Sequence, residues 1–257
     1  MQFPLHMHRF FWLSCCLMIS LLAPSCRKDP SFDAAILHVH LNATMNGAPF
    51  ALNQPFKGPE GLRMTVEDFR FYLSDITLND SSGQQAATEI ALLDFTEDQT
   101  VFSMRIAPGQ YQNLRFAVGV PPALNGIGIN GFNPAAYPAG HPLNVQNGMY
   151  WTSNTGYVFL IMQGKLDTSS AQNKPLLFPW FYHVGLNEMY AHRSLDLDLK
   201  VKPGDDLDLY LTLELNDIFV SDKDTISIRK ESFTHTTDNI ELAARVIKNF
   251  RNAIRLR

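Results

Sequence analysis

The sequence predicts an all-β fold, a two-sheet β-sandwich of immunoglobulin-like type with one C-terminal α-helix. Three observations carry that reading. Apolar and polar residues alternate in short runs separated by Pro, Gly, Asn and Asp, the pattern of strands with one covered face. One run, Tyr157 to Met162, is apolar without alternation, as expected of a central strand covered on both faces. Helical periodicity occurs in one place, after Asp238.

Ahead of the domain, Arg9 precedes an apolar run over residues 10–23, too short to span a bilayer but of signal-peptide length. It ends in Leu22, Ala23, Pro24, Ser25 and Cys26, which resembles a bacterial lipoprotein box. Residues 1–25 therefore read as a signal peptide, 26–34 as a tether and 35–257 as the domain, with Cys26 as the lipidation site. An ordinary cleavable signal peptide is the alternative. With Cys15 and Cys16 lost and Cys26 acylated, the mature domain has no thiol, which excludes a disulfide scaffold and a cysteine metal site. The 257 residues and 46% hydrophobic content suffice for one large β domain. A net charge of −4 and a pI near 6.0 give no basic face for nucleic acid.

Residues 35–41 alternate, with Ala35, Leu37, Val39 and Leu41 on one face and Ile36, His38 and His40 on the other. Two residues apart on a strand, His38 and His40 point the same way, either as two histidines on a solvated face or as a pair spaced to share a metal ion with a third ligand. Residues 67–78 form the next strand. Its apolar parity switches at Ser74 and Asp75, which predicts a β-bulge there. Residues 79–83 read as a turn, 90–95 as a strand and 111–120 as another, ended by Pro121 and Pro122. Residues 124–140 are rich in Gly, Asn, Pro and Ala and read as a long functional loop.

That loop runs through His141, Met149, Tyr150 and Trp151 into the central strand. After it, residues 176–186 return to apolar and aromatic character around His183, which is expected to be partly buried. Residues 195–201 and 207–215 alternate leucine with polar residues on either side of Pro203, Gly204, Asp205 and Asp206, the pattern of a hairpin. Asp238 and Glu241 sit three apart like a capping box ahead of the helix. The other helix face carries Arg245, Lys248, Arg251 and Arg255, expected to be solvated, as is the acidic loop Asp222, Lys223, Asp224.

The common hydrolase, nucleotide-binding and zinc-protease signatures are absent. What remains is a set of histidines in the mature chain, His38, His40, His141, His183, His192 and His235, with methionines and tryptophans near some of them. Imidazole suits copper and zinc, and thioether sulfur suits Cu(I).

The run Phe71 to Leu78, then His141, Pro142 and Leu143, then Met149, Tyr150, Trp151, Gly156 and Tyr157, and later Tyr182, His183, Val184 and Gly185, resembles the MbnP-like family. These are copper-binding proteins associated with methanobactin gene clusters and with copper-repressible surface proteins of methanotrophs. The resemblance implies a secreted sandwich that binds copper, Cu(I) or Cu(II), through histidines. It also implies a tryptophan oxidised to kynurenine in some members by a di-haem partner resembling cytochrome-c peroxidase. On the matching motifs, His141, His183 and Trp151 are the positions carried over, with His38 and His40 as further candidate ligands and Met149 beside them. The family pattern has a second aromatic two residues after Trp151; this chain has Ser153, a departure that bears on the tryptophan modification.

The expectation is therefore a lipid-anchored copper-binding protein of the cell envelope, an outer-membrane lipoprotein facing the periplasm or the surface, not an enzyme and not a nucleic-acid binder. A β-sandwich adhesion or glycan- or peptide-binding module using Tyr137, Tyr150, Trp151 and Trp180 is the alternative. A copper oxidoreductase is a third reading.

Overall fold

In the computed structural model, which describes residues 34–80, 85–221 and 224–257, the alternating runs form two sheets whose apolar faces meet. The segments expected to be a signal peptide (residues 1–25) and, up to residue 33, a tether beginning at Cys26 lie outside the described residues, as do the turn tip at 81–83 and Asp222 with Lys223. Strand β1 (Ala35–Met45) buries Leu37, Val39 and Leu41 and turns His38 and His40 outward. Next, β2 (Asp68–Asp80) pairs antiparallel with β3 (Gln85–Asp94). The parity switch is a bulge: Asp75 has φ +48°, and the β2 register with the later strand β5 slips between Ser74 and Thr77. Strand β4 (Val101–Ile106), left unassigned in the sequence reading, pairs with β1, and β5 (Gly109–Val118) follows it.

After a long loop come β6 (Tyr150–Thr152), β7 (Gly156–Leu166), β8 (Phe178–Gly185), β9 (Ala191–Val201) and β10 (Asp206–Glu214). A single helical turn, α1 (Asn216–Phe219), then β11 (Phe233–Thr234), helix α2 (Ile240–Ala253) and β12 (Ile254–Leu256) complete the chain. The larger sheet runs β9, β5, β2, β7, β8, β11, with β3 on β2 and β6 on β7. The smaller one runs β12, β10, β1, β4, and its β1–β10 pair is parallel.

The hairpin expected at residues 195–215 is not one. Although β9 and β10 are joined by a tight turn, closed by the Asp205 carboxylate accepting the Lys202 amide at 2.7 Å, β9 pairs with β5 in the larger sheet and β10 with β1 in the smaller. The turn carries the chain from one sheet to the other. Both strands still aim their leucines inward, with Leu211, Leu213 and Leu215 fully buried.

The central-strand assignment of residues 157–162 stands, and its two covers are distinct. One face of β7 packs into the sandwich. The other lies under the loop of residues 121–149: Tyr157 donates its hydroxyl to the Leu143 carbonyl at 2.6 Å, and Tyr72 donates to the Pro142 carbonyl at 2.9 Å. Leu143 and Met149 are fully buried as a result.

Helix α2 sets its apolar face on the core, with the Phe250 ring 4.8 Å from that of Phe71. Its cap is Asn239, whose side chain accepts the Leu242 amide at 3.1 Å, so Asp238 is not the capping residue. Nor are the basic residues expected on its outer face simply solvated: Arg245 is gripped by Asp224 and Glu231, and Arg255, which lies beyond the helix on β12, by Asp217.

Candidate metal centre

The outer face of the larger sheet gathers four aromatic side chains. On β8, Trp180, Tyr182 and Val184 point into the core, so alternation puts Phe181 and His183 outside. Trp151 arrives from β6, and His235 stands just past β11, which pairs parallel with β8. The ring centroids of His183 and His235 are 5.2 Å apart, and Trp151 lies 6.2 Å from one and 6.3 Å from the other. Phe181 forms the floor, 4.5 Å from His235 and 5.3 Å from His183.

The turn that holds His235 is bound to β8 through one side chain. The Thr236 hydroxyl donates to the His183 carbonyl and accepts the Gly185 amide, both at 2.9 Å. Thr236 has φ +69°, a left-handed conformation rare for a β-branched residue. Asp238 completes the turn by accepting the His235 amide at 2.8 Å and its Nδ1 at 3.1 Å. Burial pushes the Asp238 carboxyl up, but these bonds and the Thr234 hydroxyl outweigh it and hold the group below its ordinary value, hence ionised.

These contacts settle which ring nitrogens are free. A carboxylate only accepts, so His235 donates from Nδ1 and keeps a lone pair on Nε2. His183 Nε2 lies 2.8 Å from Gln163 Oε1, and donation to that amide oxygen leaves the lone pair on Nδ1. Burial, reinforced by neighbouring His235, lowers the His183 pKa to about 4, so its ring is neutral at pH 7. Two imidazoles, each oriented by an acceptor, have the donor chemistry that copper takes, and Cu(I) tolerates a sparse ligand set. Among the described residues no three His, Cys, Asp or Glu side chains converge as a metal cage, so a site here rests on this pair.

Of the residues singled out in the sequence, His183 and Trp151 are brought together. His141 is engaged in its own loop, stacked on Tyr137 at 4.5 Å with Nδ1 accepting the Leu143 amide at 3.0 Å. Met149 is sealed in the core. His38 and His40 stand on the outer face of the other sheet, across the sandwich. His235 was counted among the histidines but not chosen as a ligand; the local signal was Asp238 three residues on, placed to orient an imidazole.

A family model described as MbnP matches residues 35–240. Among solved structures, MbnP from Methylosinus trichosporium is similar, with a TM-score of 0.51, 17% identity, and 75% of this chain and 80% of that chain covered. At that identity the likeness concerns the fold. No curated protein matches.

Proposed function

The chain belongs to the MbnP family, and from that premise we propose that it is an exported copper-binding protein whose ligands are His183 and His235, with Trp151 forming the third wall of the site. The observation that carries the reading is the pair of imidazoles 5.2 Å apart, each with one nitrogen fixed by Gln163 or Asp238 and the other left a lone pair. Copper supplies the binding chemistry; the protein supplies oriented imidazole rings and a half-buried indole at their side. The role is acquisition or handling of copper, not turnover. A di-haem protein of the kind the resemblance implies would act on Trp151.

The test is titration of Cu(I) under a competing chelator into wild type and folded variants. His183→Ala and His235→Ala are each expected to weaken binding by more than about 100-fold, above the range for losing an outer-shell partner. Asp238→Ala should cost about tenfold, because only the orientation of His235 is lost. His141→Ala should bind as wild type does. Equal affinity in all variants would remove this pair as ligands. Absence of binding by wild type would favour the adhesion-module reading, for which the exposed Phe233 ring, 5.5 Å from Phe181, offers an apolar contact beside the site.

The same reading places the protein in the cell envelope through acylated Cys26. Cys26→Ser is expected to move it from the membrane to the soluble periplasmic fraction. Membrane fractionation of that variant, with no lipid mass on the wild-type chain, would count against the anchor.

A further inference from the structure

The outer face of the smaller sheet holds a second histidine arrangement that the copper site does not use. Because β1 and β10 run parallel in register, with Ile36 opposite Asp206 and His38 opposite Asp208, two histidines and two aspartates share one outward face. His38 Nε2 lies 2.8 Å from Asp206 Oδ1, and His40 Nε2 lies 2.6 Å from Asp208 Oδ1. Both rings are oriented from behind: the Ser103 hydroxyl meets His38 Nδ1 at 2.7 Å, and Tyr210 stacks on His40 at 4.7 Å. All four side chains reach solvent. Exposed ion pairs contribute little to stability, so stability alone does not account for two such pairs side by side.

We infer that His38, His40, Asp206 and Asp208 form a second metal site, for a borderline divalent cation such as Zn(II) or Cu(II). Imidazole nitrogen and carboxylate oxygen bind zinc at about 2.0–2.2 Å, which sets two donors on one tetrahedral ion roughly 3.3 Å apart. The His38–Asp206 contact needs to open by about 0.5 Å and the His40–Asp208 contact by about 0.7 Å as the ion takes the place of the hydrogen between them. Same-face neighbours on a strand are about 6.6 Å apart at the backbone, and exposed rings close that span by rotating about their side-chain bonds. Among the described residues the donors do not yet converge on one point, so the ion draws them together on a fixed backbone register. The mixture of nitrogen and carboxylate oxygen favours a divalent ion, whereas the all-imidazole pair across the sandwich suits Cu(I).

The experiment uses the full chain carrying His183→Ala and His235→Ala, so that the first site is silent, and titrates Zn(II) alone by calorimetry at neutral pH. One equivalent is expected to bind. Adding His38→Gln and His40→Gln should abolish binding, and Asp206→Asn with Asp208→Asn should weaken it by at least about tenfold. A second measurement on the same His183→Ala, His235→Ala parent follows the histidine ring resonances by NMR during the titration, where His38 and His40 should shift at the first equivalent. Failure of the parent to bind zinc, binding unaltered by the His38 and His40 substitutions, or unshifted His38 and His40 rings would each overturn the proposal. None of these outcomes depends on whether His183 and His235 bind copper.

Discussion

Leu211→Asp is expected to abolish the cooperative thermal transition of the domain. Leu211 is 1% exposed and sits mid-strand on β10, opposite Leu41 of β1 on one side and Leu256 of β12 on the other. Truncating such a leucine typically costs about 2–5 kcal/mol. An aspartate there adds a carboxyl group that must either ionise without a partner in an apolar interior or take up a proton to enter it, at several further kcal/mol. Together these approach or exceed the roughly 5–15 kcal/mol that holds most domains folded. The measurement is a melt followed by near-ultraviolet circular dichroism. A transition within a few degrees of wild type would show that this face of β10 is not core.

Gly164→Ala should be nearly as damaging, though it adds a single methyl group. A Cβ at position 164 would come within 2.0 Å of the Thr65 carbonyl oxygen and 2.7 Å of its carbon, both main-chain atoms that no rotamer change can move. That close approach serves a buried group: the Trp180 indole donates to the same Thr65 oxygen at 3.1 Å, and Trp180 is fully buried opposite Gly164 in the β7–β8 register. Pushing the Thr65 segment away strains the core by about 1–3 kcal/mol and leaves a buried donor unpaired for about 1–3 more. Near 3 kcal/mol or above, the melting temperature of a domain this size drops by about 10 °C. Wild-type melting by Gly164→Ala, measured by calorimetry, would show that the segment yields without cost.

The difference between what was legible in the sequence and what was not follows from the range of the interactions. The bulge at Asp75 and the central strand at β7 were legible because each leaves a local mark, a parity switch in one case and a lost alternation in the other. The leucines of β9 and β10 declared their buried face correctly but not their sheet: a hairpin and a crossing between sheets need the same alternation, and the difference lies in partners some 80 to 170 positions away. In the site, His183 was legible through its flanking Tyr182, Val184 and Gly185. His235 was not, because it reaches His183 through the Thr236 side chain and a two-residue parallel pairing, neither of which imposes a periodic pattern. His141 drew attention by its place beside the central strand, and that loop is ordered by contacts its own asparagines make, among them Asn147 donating to the His141 and Pro142 carbonyls.

The smaller sheet has a temporal consequence. Its first strand, β1, lies between β10 and β4, and β10 is in turn covered by β12, the last strand of the chain. Strand β1 therefore waits, with one edge unsatisfied, for residues made about 170 positions later, and β10 in turn waits for β12. Pairings that distant are the slow part of folding. Until those residues arrive, β1 presents an unpaired strand edge, the kind of surface on which incomplete chains pair with one another.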